Sequence, residues 1–308
     1  MHEIVSVKMS LTSLLSDPRH QELRDKFKSV FPKPEIKLKG ELLAPPITSN
    51  YAVVGQAFDY LLRFKLERQH GSLLIAPKHW VADTCYHQLI ISIRRSESEY
   101  LMVGQHRNIP KNRLVFQDMI VEEYRKAKEN YTRFLKNGRV NDELIKSCLF
   151  LARLDVLQRA KMIDQNLGNE SFEDVEDVRR IFSLVRSNKF AAKEHCILNP
   201  HFNKGSLLVG GADADLIMDD TLIDIKVIKD LKVTRSQYNQ LIGYYILSLI
   251  GGINQHPNLR PINAIGIYFA RHGVLWKVSV AELASKKDIN AFKKWFIEYI
   301  KRNKVSNV

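Results

Sequence analysis

The chain has 308 residues, 45% of them hydrophobic and 26% charged, enough length and apolar content for one large domain or two modest ones with a sizeable core. Its 47 Lys and Arg stand against 34 Asp and Glu, a net charge of +13, which suits a phosphate-rich partner, although an acidic protein or an anionic membrane surface would satisfy the same charge. No run approaches the roughly 18 apolar residues of a membrane span, and the opening Met-His-Glu-Ile-Val-Ser-Val-Lys lacks a basic-then-apolar leader, so a cytoplasmic protein with no membrane role is expected.

Residues 11–31 read as a short helix interrupted at Asp17-Pro18. Residues 31–34 and 44–50 read as linkers, the second feeding a helix over 54–64 through a Ser or Asn cap. From about 80 to 187 the apolar spacing is helical again and again, over 80–95, 114–137, 141–165 and 172–186. This block is expected to be a large all-helical insertion. Arg94, Arg95, Arg107, Lys111 and Arg113, then Arg125, Lys126, Lys128 and Arg133 with Tyr124 and Tyr131 among them, suggest a track for nucleic acid. A solvated helix face with core aromatics explains the same residues more simply.

Residues 192–200, closed by Asn199-Pro200, read as a first strand, and Glu194, His195 and His201 lie near it without a clear role. A hairpin follows over 207–227. Leu207, Leu208 and Val209, then Leu216, Ile217 and Met218, then Leu222, Ile223, Ile225 and Val227 make both arms strand-like, and Asp219-Asp220 supplies the turn. That turn sets Asp215 opposite Asp224 and Asp213 opposite Lys226. Directly paired Cβ atoms lie ~4.5–5.5 Å apart, and residues two apart share a face, so Asp215, Asp224 and Lys226 converge on one patch. Two carboxylates this close repel unless a cation sits between them or one keeps its proton. Oxygen ligands of this kind suit Mg²⁺ or Mn²⁺, and the chemistry that follows is phosphodiester hydrolysis, with Lys226 orienting water or neutralising charge on phosphate. A solvated hairpin face with a cross-strand ion pair is the plain alternative.

Next comes a helix from Thr234, a plausible N-cap, to Gly251-Gly252, with Gln240 and Tyr244 one turn apart on one face. Strands over 264–270 and 274–280, joined at Arg271-His272-Gly273, and a last helix over 280–301 complete the chain. Cys85, Cys148 and Cys196 are far apart and lack C-x-x-C spacing, so neither a disulfide framework nor a zinc or iron–sulphur site is legible. No G-x-x-x-x-G-K-[ST] is present, so any duplex unwinding would come from a partner.

Asp215-Leu-Ile, Asp224-Ile-Lys226 and Gln240-x-x-x-Tyr244, in this order, resemble the PD-(D/E)xK nuclease superfamily, in particular its RecB-like branch, which also holds lambda exonuclease. In that branch an Asp, a D/E-x-K and a Q-x-x-x-Y on the following helix form the site. A fourth match is Gly55-x-x-x-Asp59, where the branch often has G-x-x-x-H; Asp59 keeps an oxygen ligand in place of imidazole, or simply pairs with Arg63 on a helix surface. Asp213 is an extra acid on the Asp215 face. The resemblance spans roughly residues 190–280, with 51–65 as a separate piece.

The resemblance implies an α/β fold: a restriction-endonuclease-like core with a mixed central sheet flanked by helices, interrupted by the helical insertion. Residues 1–50 would be an N-terminal helical and linker segment, 51–79 the first core helix, 80–187 the insertion and 188–308 the core. It further implies a Mg²⁺-dependent (or Mn²⁺-dependent) deoxyribonuclease, endonuclease or exonuclease, in repair, recombination or defence against phage. Asp215 and Asp224 would hold metal with Asp213, Asp59 or the Ile225 carbonyl; Lys226, Gln240 and Tyr244 would complete the catalytic set; and no iron–sulphur cluster is expected. DNA is the expected partner, with a protein partner on the helical insertion as a further option. The competing reading is a nucleic-acid- or protein-binding module on the same fold without turnover.

Overall fold

The computed structural model describes residues 10–94, 102–103, 113–254, 256 and 259–305. At the N-terminal end, α1 (Leu11–Ser16) and α2 (Gln21–Val30) are separated by a 3-10 turn at Pro18–His20, because proline lacks the N–H that would continue α1. Five helices follow: α3 (Tyr51–His70), α4 (Val81–Arg94), α5 (Arg113–Asn137), α6 (Asp142–Ala160) and α7 (Phe172–Ser183). Among them lie three two-residue strands, β1 (Leu74–Ile75), β2 (Met102–Val103) and β3 (Met162–Ile163), the last two pairing as a separate parallel ribbon. The remainder runs β4 (Cys196–Leu198), α8 (Lys204–Leu208), β5 (Leu216–Met218), β6 (Thr221–Lys226), α9 (Arg235–Gly251), β7 (Ala264–Phe269), β8 (Val274–Ser279) and α10 (Lys286–Val305).

The fold is α/β. One mixed sheet has the order β1-β4-β5-β6-β7-β8, parallel where α9 carries the chain from β6 to β7 and antiparallel across the hairpins. Helices cover both faces. Leu216, Met218, Ile223 and Tyr268 point into a core shared with α3 to α7, while Ile217, Leu222, Ile265 and Ile267 point into one shared with α1, α2, α9 and α10. Burial on both faces explains why β5 and β7 are nearly continuous apolar runs rather than alternating ones. Among the described residues no helix is long and apolar enough to cross a membrane.

Several sequence expectations are corrected. Leu207 and Leu208 belong to α8, not to a hairpin arm; a Cβ on Gly205 would come 2.4 Å from the Leu247 carbonyl oxygen, so α8 packs backbone against α9 and the strand begins only at Leu216. The strand at the sheet edge is β1, too short to carry a periodic signal, and the strand expected over 192–200 contracts to Cys196–Leu198. The helix expected to reach residue 165 stops at Ala160, where Lys161 turns left-handed with φ 56°. The last helix starts at Lys286, after a 3-10 turn at Val280–Glu282 capped by Ser279.

Candidate active site

The hairpin register matches the pattern of its side chains: Leu216 faces Ile223, Ile217 faces Leu222 and Met218 faces Thr221 across a turn at Asp219-Asp220. Asp219 makes that turn with φ 51°, and its carboxylate accepts backbone N–H groups from Lys193, Glu194 and His195. Partial burial opposes ionisation there, but these three donors prevail and hold Asp219 below the usual carboxylate range. Asp219 is therefore a clamp between the hairpin and β4.

At the other end of the hairpin the ladder stops at Leu216, and a side chain takes over from the backbone. Asp215 Oδ2 accepts the Ile225 N–H at 2.6 Å. The N–H and C=O of one strand residue face the same neighbour, so the Ile225 carbonyl is also turned to the Asp215 side, where no strand continues. Asp213 departs from the expected place opposite Lys226: its backbone bridges to His201 instead, and its side chain is exposed.

Asp224 and Lys226 share the strand face of Leu222 and so face α9. Asp224 is only 3% exposed. Its Oδ2 lies 2.8 Å from Lys226 Nζ as an ion pair but has no hydrogen-bond partner. Burial, and then the charge of Asp215, push the Asp224 carboxyl above its ordinary range, against the opposing charge of Lys226. For Lys226, burial pulls the other way from Asp224 and Asp215; together the two carboxylates win, so the ammonium is raised and stays charged.

Helix α9 locks that ammonium in place. Thr234 and Gln237 form a reciprocal capping box that fixes the first turn, and one turn further Gln240 Oε1 receives Lys226 Nζ at 3.3 Å while Gln240 Nε2 donates to Tyr244 Oη at 2.9 Å. Lysine can only donate, so the amide oxygen must face it and the amide nitrogen must face the tyrosine. Burial first, then Asp224 and Asp215, hold the Tyr244 hydroxyl well above its usual value, so it is neutral.

The opposite wall is α3. Asp59 forms an ion pair with Arg63, the plain alternative, yet Asp59 Oδ1 is buried without a hydrogen bond. Gly55 is not a point of close approach, since a Cβ there would meet only Val227 Cβ at 3.7 Å. One cleft of about 730 Å³ is lined by Asp59, Asp213, Asp215, Asp224, Lys226, Gln240 and Tyr244 together, which brings every sequence-selected side chain to one place. It also takes in Ser10, Thr12, Tyr51, Gln56 and Arg159. Gln56 shares a helix face with Ala52 and Asp59 and was open to detection by spacing; Ser10, Thr12 and Arg159 come from remote segments and carry no local signal.

This donor set fits a hard divalent cation. Two of the acids that line the cleft, Asp59 and Asp224, each carry a buried oxygen without a hydrogen bond, the acidic donors are all oxygen, and burial with the charge of Asp215 drives Asp224 towards its protonated form despite Lys226. Among the described residues no group of three His, Cys, Asp or Glu stands close enough together to hold a metal ion.

Other candidates fall elsewhere. Glu194 pairs with Arg260, His195 is buried with Nε2 unpartnered, and His201 Nδ1 accepts the Asn203 N–H at 3.0 Å. On the helical face Arg125 and Lys126 pair with Glu122, Glu123 and Glu129, and Lys128 lies between Asp83 and the Trp80 ring. Tyr124 stacks on Tyr86, and Tyr131 packs between Phe64 and Trp80. Arg95, Arg107 and Lys111 lie outside the described residues. Cys85, Cys148 and Cys196 are buried free thiols. Comparisons with protein-family models, with curated proteins and with solved structures find no match.

Proposed function

We propose that this cleft hydrolyses phosphodiester bonds in DNA with Mg²⁺ or Mn²⁺, as a nuclease of the PD-(D/E)xK superfamily and its RecB-like branch. On this reading the sheet and its flanking helices are a restriction-endonuclease-like core, and residues 80–187 are a helical insertion. The observation that carries the proposal is the linked set Asp215, Asp224, Lys226, Gln240 and Tyr244 in one cleft, with two adjacent carboxylates and a lysine held by a glutamine–tyrosine pair.

Asp215 and Asp224 would hold the cation, with the Ile225 carbonyl and Asp59 or Asp213 as further oxygen donors. When bound, such a cation lowers the pKa of a water and polarises a phosphoryl oxygen. Lys226 keeps its charge beside Asp224 and has three N–H donors, one of them given to Gln240. A remaining donor would meet charge developing on phosphate, from a fixed positive group that need not reorganise during reaction. Gln240 and Tyr244 hold the ammonium in that pose. Arg159, 58% exposed at the cleft wall, is placed to meet a neighbouring phosphate. Basic charge elsewhere on the chain supports binding to the polyanion, and repair, recombination or phage defence are the settings such an activity would serve.

The test is cleavage of labelled linear, circular and single-stranded DNA with Mg²⁺ or Mn²⁺, beside Asp224→Ala and Lys226→Ala. Metal-dependent degradation that disappears in both variants supports the proposal, and the circular substrate separates internal from end cutting. Cleavage unchanged in both variants would sink the assigned site, and none on any substrate would leave a binding module, or a missing partner, as the better account.

A further inference from the structure

The helical layer reaches the cleft at Gln56 and Arg159, which stand in its wall beside the carboxylates. They belong to two pairs that meet across α3 and α6: Gln56 and Tyr60 on α3, Asp155 and Arg159 on α6, the members of each pair one turn apart. Their side chains interlock from the core outwards. The Ala82 N–H donates to Tyr60 Oη at 3.3 Å, and Tyr60 Oη donates to both Asp155 oxygens, at 3.0 and 3.1 Å. Gln56 Nε2 donates to Asp155 Oδ2 at 3.2 Å, and Arg159 Nη2 donates to Gln56 Oε1. The relay thus runs from a tyrosine 1% exposed to an arginine whose side chain is 58% exposed.

Packing alone does not account for a charge at Asp155. The nearest Arg159 nitrogen is 4.0 Å from its carboxylate, and burial pushes the carboxyl up to about 6, so its ionisation opposes folding at neutral pH. A neutral acceptor would hold the tyrosine and the amide as well. What the carboxylate adds is attraction for the guanidinium one turn along α6, with Gln56 as the bridge. The amide nitrogen of Gln56 must face the acceptor Asp155, and its oxygen must face the donor Arg159. An exposed arginine ordinarily samples many rotamers and loses that freedom on binding an anion. Here the guanidinium is fixed beforehand at the cleft wall, with Nη2 given to Gln56 and the rest of its five N–H donors left for an anion.

We infer that Gln56 and Asp155 are positioning residues, which hold the Arg159 guanidinium against the cleft so that it binds a phosphate next to the one at the carboxylates. The inference rests on the reading of the cleft as a phosphodiester site. It gives the helical block, through α6, a direct part in substrate binding. Arginine suits this place because its planar fork meets two phosphate oxygens at once, which the compact ammonium of a lysine does not.

The test is binding of a fluorescein-labelled single-stranded oligothymidylate to the full chain, in EDTA at pH 8, followed by anisotropy over a range of salt concentrations. The parent chain is compared with Arg159→Ala, with Gln56→Ala and Asp155→Asn, and with each of these two combined with Arg159→Ala. Arg159→Ala is expected to weaken binding about tenfold and to flatten the slope of log affinity against log salt by about 0.7, the share of one phosphate contact on a single strand. Gln56→Ala is expected to weaken binding about threefold in the parent chain and not at all once Arg159 is alanine, because a positioning residue acts only through the group it holds. Asp155→Asn, which is isosteric and removes a buried charge, is expected to follow the same pattern without loss of stability. Binding unchanged in Arg159→Ala, effects of Gln56→Ala and Asp155→Asn that are as large without Arg159 as with it, or no binding by the parent chain would overturn the inference. Metal-dependent cleavage that Asp224→Ala abolishes in that case leaves the nuclease reading standing alone. The expected binding pattern with no cleavage on any DNA substrate keeps Arg159 as a held phosphate ligand and leaves the cleft as part of a binding module.

Discussion

Under the helical layer, Arg153 is enclosed by Asp164, Glu170 and Asp174, and Arg271 by Asp177, whereas at the strand ends Asp215 and Asp224 stand together with Lys226 between them and α9. In the first two clusters each acid bonds to the arginine, although Glu170 Oε1 and Arg271 Nε have no hydrogen bond and burial pushes the Glu170 carboxyl up to about 7. Arg271 makes two parallel bonds to Asp177, at 2.7 and 3.0 Å, plus one to the Ala44 carbonyl, and Asn50 completes the shell of Asp174 just before α3. They pin α6, α7, the 44–50 segment and the end of β7 to one another. The cleft has two adjacent carboxylates beside one lysine, and Asp59 Oδ1 and Asp224 Oδ2 have no hydrogen bond although both acids are ion-paired. What sets the second site apart is that its acids line an open cleft of about 730 Å³ with a lysine held beside them, whereas the arginine clusters are closed between packed layers.

The largest effect should come from opening a closed cluster. Arg271→Ala strands Asp177 with no exposure to water and is expected to destabilise the fold by about 3–5 kcal/mol. Chemical denaturation checks this, and a loss below about 1 kcal/mol would mean that the pair is not the tie it resembles.

A pH dependence sharpens the contrast from the cleft side. Asp155, close to the cleft wall, is pushed up to about 6 by burial, although Tyr60 and Gln56 hydrogen-bond to it and Arg159 and Arg63 attract it. A carboxyl whose folded pKa is raised keeps its proton where the unfolded chain has lost it, so it contributes less as pH rises from the ordinary value of about 3.9 to about 6. The change is on the order of 2–3 kcal/mol for Asp155, and Asp224 acts in the same direction. In EDTA the denaturation midpoint should therefore be higher at pH 5 than at pH 8; the reverse order would contradict the assigned burial.

Asp215→Asn should move stability and activity in opposite directions. The amide oxygen can still accept the Ile225 N–H, while the repulsion on Asp224 disappears, so a gain of about 1–2 kcal/mol is expected in the metal-free protein together with loss of cleavage. A destabilised variant would show that the carboxylate serves the hairpin more than a cation. The smallest effect belongs to Thr234→Ala: removing the cap of α9 should cost about 1 kcal/mol and reduce cleavage only modestly, since Gln240 lies nearly two turns further on. A large loss of activity at unchanged stability would give the cap a direct role.

What was legible in the sequence follows from how local the determinants are. The helical periods of α3 to α7, the capping Thr234 and the two-residue turn at Asp219-Asp220 act within a few residues, and each sets its element in the expected place. The register that puts Asp215 beside Asp224 follows from that turn alone. By contrast, α8 is a helix because Gly205 meets α9, β1 is a strand because β4 lies beside it, and Arg159 reaches the cleft because α6 packs on α3. None of these partners is near in sequence. The Asp59–Arg63 pair was visible as an i, i+4 pattern; that it would leave Asp59 Oδ1 buried and unpaired in the cleft was not.

The central claim is that the Asp215–Asp224 pair is open in order to hold a divalent cation, and the most direct measurement is thermal unfolding in EDTA and in Mn²⁺ for the parent chain and for Asp224→Asn. Binding to the folded state alone raises stability by mass action, about 2.7 kcal/mol at a hundredfold excess over the dissociation constant. The account predicts that Mn²⁺ raises the melting temperature of the parent chain and leaves that of Asp224→Asn unmoved. An equal shift in both, or none in either, would contradict it.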